Sequence, residues 1–224
     1  MSDLATMCVQ GSLCGRFWRR VMDILLALIL GVLLLPITVI VLVLLLVRSP
    51  GTPFYLQKRV GRGGKEVTVV KFRTMKGQAD LTAEERAEYL LEYKLDDDPR
   101  LIGYRKKGDG KKCFGAILRR TSLDELPQLY VNVLLLGNMS LVGPRPILAE
   151  ELAANYTAEE QALLLSVKPG VTGYWQAYAR GRALYANGER QKMELYYIKH
   201  QSLFLDVKIL LRTVYTVIAK TGAK

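Results

Sequence analysis

Two adjacent carboxylates, Asp124 and Glu125, stand in the stretch TSLDELPQLY, shortly after the arginine pair Arg119 and Arg120. A carboxylate can attack phosphorus as a nucleophile, take up a proton, or hold a hard cation such as Mg²⁺. Guanidinium groups close by suit phosphate oxygens, which they grip with two parallel N–H donors. The rest of the inventory narrows the chemistry. There is one histidine, His200, and the three cysteines (Cys8, Cys14, Cys113) form no CxxC pair. That argues against a histidine triad, a His/Cys zinc site and a disulfide framework, and it suits a reducing compartment. Any catalysis must therefore rest on carboxylates, lysines, arginines or a hydroxyl. Alone, the acid pair proves nothing: acids in the first turn of a helix are stabilising, and Thr121 or Ser122 offers a side-chain cap for that turn.

The 224 residues fit one domain, or one domain with a membrane anchor, and carry a net charge of +11. Such a balance expects anionic partners: nucleic acid, anionic lipid head groups or phosphorylated substrates. Few aromatic residues alternate with basic ones, which disfavours nucleic acid.

From Ile24 to Val47 no residue is charged. A straight helix of that length is about 36 Å long, enough to cross a hydrocarbon core of roughly 30 Å. Pro36 falls near its middle, where a kink or break is expected, and each half is then too short to span. Arg16, Arg19 and Arg20 precede the run; Arg48, Lys58, Arg59, Arg62 and Lys65 follow it. Basic residues favour the cytoplasmic side, so a helix–break–helix hairpin that enters and leaves by one leaflet satisfies both flanks. Simple spanning is the alternative, since proline is tolerated in spanning helices. Asp23, at the edge of the run, is expected to snorkel or to pair with Arg19 or Arg20.

Beyond the run, FYLQKRV and EVTVVKF flank GRGG and read as a β-hairpin. No GxxxxGK[ST] phosphate loop occurs. Residues 82–94 read as a charged amphipathic helix, and the acid run Asp96–Asp98 before Pro99 reads as a turn rather than a metal site. A short basic helix is expected over Phe114–Arg120, an extended segment over SLVGPRPI, and helix over Ala149–Val167. VKPGVTGYWQAYARGR is expected as turn and strand, with Trp175 and Tyr178 as core or interface residues. SLFLDVKILLRTVYTVIAK, bulky and apolar with few charges, suits a helix at a membrane interface or one packed on the domain.

With KFRTM upstream, TSLDELPQL, GNMSLVGPRP and KPGVTGYWQ follow in an order that resembles the bacterial sugar transferase family, the monotopic phosphoglycosyl transferases. The resemblance runs from about Arg19 onward. It implies an α+β, helix-rich fold: an N-terminal segment with a re-entrant membrane helix broken at Pro36 (residues 1–49), then a cytoplasmic catalytic domain (50–224) with a small β-hairpin and interfacial amphipathic helices. It implies transfer of a sugar 1-phosphate from a nucleotide-diphosphate sugar, UDP-linked by expectation, to polyprenol phosphate, with Mg²⁺, at the cytoplasmic face of the bacterial inner membrane. On the matching residues it implies Asp124 as covalent nucleophile and metal ligand, Glu125 as acid/base or positioning group, and Lys71, Arg119 and Arg145 as phosphate-binding cations. The chain departs from the family's pattern at Leu35, where many members have serine. It also departs in LPQLYVNVLLLGNMS, two residues longer than the usual form. Two extra residues turn a helix by about 200° and must be absorbed by a bulge or loop if Arg145 is to face the acid pair. The competing reading is a non-catalytic, membrane-anchored basic module that binds anionic lipids or nucleic acid.

Overall fold

A computed structural model of the chain describes residues 13–49, 51–76, 98, 100–104, 113–179 and 188–218. The expected helix over 82–94 and the cysteine at position 8 lie outside these residues.

The first element, α1 (Leu13–Arg48), is a helix of 36 residues and, among the described residues, the one long and apolar enough to cross a membrane. Asp23, Ala27, Gly31, Val41 and Leu45 are buried, and Leu34 and Thr38 are partly buried between them. These positions recur every three or four residues and so form a single stripe. Most of the remaining positions are apolar and exposed: Leu25, Ile29, Val32, Leu33, Ile40 and Val47 are among them. Water would penalise that face, and a lipid phase would not.

The sequence leads one to expect a break at Pro36, yet the helical description is continuous through it. Proline removes only its own bond to the carbonyl four residues back. Neighbouring polar groups gather at the same place. Thr38 Oγ1 donates to Leu34 O at 2.9 Å, and Tyr130 Oη donates to Gly31 O at 2.8 Å and lies 3.2 Å from Thr38 Oγ1. These hydroxyls supply hydrogen bonding at the proline where Leu35 offers none.

The hairpin forms as expected from the β-branched and aromatic runs. Strands β1 (Phe54–Val60) and β2 (Glu66–Phe72) pair antiparallel, with Phe54 opposite Phe72 and Val60 opposite Glu66. The turn needs glycine, because Gly63 and Gly64 have φ of 69° and 74°. Gly63 N then donates to Leu165 O, which fastens the tip to the body of the domain.

After α2 (Phe114–Thr121) comes a composite rod: a 3₁₀ turn (Leu123–Glu125), one α turn, α3 (Leu126–Gln128), and a π-helix over Leu129–Leu135. Thr121 Oγ1 turns back to Ile117 O and Leu118 O, and Ser122 makes no side-chain cap bond. The cap expected at these two residues is therefore replaced by backbone geometry. Ser122 adopts the left-handed conformation (φ 57°), and its N–H satisfies the last carbonyls of α2. The segment that departs from the family's usual length contains this π-helix. Its wider turn, closed by Leu136 N to Val131 O, absorbs additional chain within a rod that stays helical.

SLVGPRPI is extended, and β3 (Ser140–Val142) pairs in parallel with β4 (Gly170–Thr172). A Cβ on Gly143 would meet Lys168 O at 2.6 Å, so only glycine lets these two turns approach. The region 149–167 is two helices, α4 (Ala149–Asn155) and α5 (Ala158–Leu164), because Thr157 caps a new start with Glu160 completing the box. YWQAYA, expected as strand, is helix α6 (Tyr174–Ala179) instead. Local β-propensity there yields to packing on the last helix. Helices α7 (Glu189–Lys199) and α8 (Leu203–Ile218) complete the described chain. The main core gathers Val67, Val69, Leu129, Val133, Met139 and Tyr197; a second cluster joins Val41 and Leu45 of α1 to Phe72, Ile102 and Leu118.

Candidate active site

Four elements meet around the acid pair. Leu123 and Leu126, which flank it, pack against the cluster containing Val41 and Leu45, so Asp124 and Glu125 sit beside the second half of α1. Both carboxylates are half-buried. The left-handed Ser122 just ahead of them is the one non-glycine residue with positive φ among the described residues. Such a conformation costs about 1 kcal/mol or more and is kept where surrounding structure enforces it.

Lys71 faces them from β2. Side chains alternate along a strand, so Lys71 shares the face of Val67 and Val69, which point into the main core. Its Nζ forms an ion pair with Glu125 Oε1 at 2.5 Å. The backbone that holds Lys71 is pinned by a residue the sequence reading did not single out. Asn132, fully buried in the π-helix, accepts from Val70 N at 3.1 Å and donates to Thr68 O at 2.8 Å and Asn138 Oδ1 at 3.1 Å. Its amide thus pairs the outer edge of β2, as a third strand would. A polar residue inside the apolar frame LYVNVLL was the available signal.

Arg119, in the last turn of α2, directs Nη1 to Met75 Sδ at 3.6 Å, which links it to KFRTM. Arg73 of the same segment donates to Ser49 O and Oγ, tying the end of α1 to the hairpin. Arg145 goes to a second centre. Its guanidinium lies 5.7 Å from the Trp175 ring centroid, over which Arg190 also lies at 4.4 Å. The Arg145 N–H donates to Glu194 Oε2 at 3.2 Å. Burial pushes the Glu194 carboxyl up to about 7, against the opposing pull of Arg190 and of the Arg145 N–H. Lys71 and Glu125 are therefore joined directly, whereas the ring and carboxylate contacts of Arg145 belong to the Trp175 centre.

Among the described residues no three His, Cys, Asp or Glu side chains gather into a metal-binding group. The donors on offer are two hard carboxylates, a set that fits Mg²⁺ shared with substrate phosphates better than an all-protein cage. Asp98, the described member of the acid run, makes a forked pair with Arg100, with bonds of 2.7 Å, and serves a turn as expected.

The structure thus sets a half-buried acid pair next to a strand lysine, beside a long apolar helix. The family model for bacterial sugar transferases matches residues 14–220, and the chain belongs to that family. It is 37% identical over 217 residues to a UDP-galactose-lipid carrier transferase of Erwinia amylovora, covering 93% of this chain and 42% of that protein. It is 33% identical to the exopolysaccharide production protein ExoY of Sinorhizobium fredii, covering 93% of this chain and 89% of that one. A UDP-glucose:undecaprenyl-phosphate glucose-1-phosphate transferase of Escherichia coli is 35% identical over 205 residues, with 90% and 40% covered. The chain thus spans about two fifths of the length of several relatives and nearly all of ExoY.

Proposed function

We propose that this chain transfers a sugar 1-phosphate from a UDP-sugar to polyprenol phosphate, with Asp124 as the covalent nucleophile. The observation that carries the reading is the Lys71–Glu125 ion pair beside Asp124, on the segment that packs against the apolar helix. Family membership and the names of the relatives support the same reaction class.

In the first half-reaction an Asp124 carboxylate oxygen attacks the sugar-bearing phosphorus. The new carboxyl–phosphorus bond replaces the bond to the bridging oxygen, which leaves with UMP. In the second, a phosphate oxygen of the polyprenol attacks the same phosphorus and Asp124 departs as free carboxylate, giving the polyprenyl diphosphate sugar. Splitting one hard displacement into two lowers each barrier. Lys71 and Arg119 stabilise the negative charge that gathers on the phosphates, and Glu125 holds Lys71 in place for that work. Mg²⁺, held by Asp124 and substrate oxygens, would supply further charge neutralisation when bound.

The re-entrant reading of α1 has support at both of its ends. Asp23 accepts from Ser140 Oγ and Leu141 N, and Ser49 receives Arg73. Both ends are thus bonded to one domain, which lies on one side of the bilayer. In this reading α1 bends at Pro36 within the leaflet by which it enters and leaves, and the exposed apolar residues Phe204, Leu211 and Val214 of α8 rest at the interface. The experiment is a trap: protein incubated with donor labelled in the sugar phosphate, without acceptor, acquires label, and Asp124→Asn does not. Full turnover by Asp124→Asn would refute the covalent route, and turnover without any trapped label would favour direct transfer.

A further inference from the structure

A second group of cations lies outside the cluster around the acid pair. Where α1 begins, Arg16, Arg19 and Arg20 line a recess of about 150 Å³ together with Arg62 from the hairpin tip and Lys168 from the turn before β4. That is room for about five waters at ~30 Å³ each. The recess is lined by the first turns of α1, the hairpin tip and the turn before β4, and none of its lining residues belongs to the cluster that packs around the acid pair. It is therefore no part of the site described above.

Among the described residues the recess is lined by five cations against one carboxylate, Asp23. Asp206 engages Arg19 at 3.4 Å and Tyr197 Oη at 2.7 Å, and Asp23 is occupied by Ser140 and Leu141. Arg20 Nη1 is buried with no hydrogen-bond partner among the described residues. Lys168 is held by one bond, to Gly137 O at 2.6 Å. Burial lowers the Lys168 pKa, and the nearby Arg20 and Arg62 charges lower it further, against the opposing pull of Asp23. An unpaired buried donor and crowded cations in a cavity are a prepared anion site.

The same stretch of helix gives the anion its context. Phe17 and Ile24 are exposed on α1 about a quarter turn of the helix from the cations. An amphiphile can place its charged end in the recess and its chains along those side chains. We propose that this recess binds the phosphate of an anionic membrane lipid head group, as a site separate from that of the reacting substrates. The proposal rests on the membrane placement of α1 and not on the chemistry at Asp124.

Trp18 is a built-in reporter, one of two tryptophans, the other being the buried Trp175. The full chain is placed in phosphatidylcholine nanodiscs that hold a minority of chain-brominated phosphatidylglycerol, and tryptophan quenching is compared with that from the same fraction of brominated phosphatidylcholine. The expected result is about fivefold local enrichment of the anionic lipid, reduced severalfold by Lys168→Gln and by Arg62→Gln. Arg62 is exposed at the hairpin tip, so that variant keeps the fold. Equal quenching by the two lipids, or unchanged enrichment in both variants, overturns the proposal. Loss of enrichment on adding inorganic phosphate at matched ionic strength overturns it as well, because the site would then take free phosphate. Absence of quenching by any brominated lipid would instead refute the membrane placement, leaving the Asp124 chemistry to its own test.

Discussion

Asn132 carries the sharpest consequence of the fold for the reaction. Replacing it with alanine removes an acceptor from Val70 N, 3.1 Å away, and a donor from Thr68 O, 2.8 Å away. Each strand group left without a partner costs about 1–2 kcal/mol, the lower part of the usual range because Thr68 and Val70 are half-buried. The total loss is about 2–4 kcal/mol. For a chain of this size that lowers Tm by about 5–15 °C. Asn132→Asp separates the two bonds: a carboxylate still accepts from Val70 N but faces Thr68 O with no donor, so it costs at least as much. Because Lys71 follows Val70 directly, turnover should fall about tenfold or more in the alanine variant even well below its melting point. Urea unfolding of the purified full chain in micelles measures the first effect, and release of nucleoside monophosphate measures the second. An Asn132→Ala protein within about 0.5 kcal/mol of wild type would refute the idea that this amide closes the edge of β2.

Other outcomes follow from the same geometry. Lys71→Gln and Glu125→Gln should each cut turnover by about 10²–10³-fold. Each should change stability by less than about 1 kcal/mol, since the pair is partly exposed; a large Tm shift with little kinetic loss would reverse their assignment. Glu194 titrates near 7 in the folded protein and near 4.5 unfolded, so the folded state binds the extra proton between those values. Stability should therefore be highest below about pH 4.5 as far as this group is concerned, and fall by up to about 3 kcal/mol as pH rises to 7. Glu194→Gln, followed by urea unfolding across that window, should flatten the slope, and an unchanged slope would dismiss the buried carboxyl as its source. In a background without Cys8, Cys14 and Cys113, cysteines placed at Ser12 and Lys58 should react with an impermeant reagent from the same side of the membrane. Reaction from opposite sides would establish ordinary spanning.

Much of this site was legible in the chain. The acid pair, the strand lysine in KFRTM and the apolar run announce themselves through residue type and local spacing, and the hairpin follows from two β-branched runs around GRGG. A single histidine already removes most alternative chemistries. Other features were not legible because they depend on partners distant in sequence. Nothing in TSLDE says that Ser122 turns left-handed, since that follows from how α2 meets the rod. The helical YWQAYA arises from packing against α8, which local propensity cannot register. Asn132 looks like one polar residue in an apolar stretch until β2 lies alongside with an open edge. Arg145, placed between prolines by the sequence, is drawn to Trp175 and Glu194, residues thirty and forty-nine positions further on. Residue chemistry and short-range periodicity are properties of the chain itself. The ion pair of Lys71 with Glu125, and the crowded cations around Lys168, exist only because folding brings together charges whose energy depends on separation and burial, and tertiary structure alone sets both.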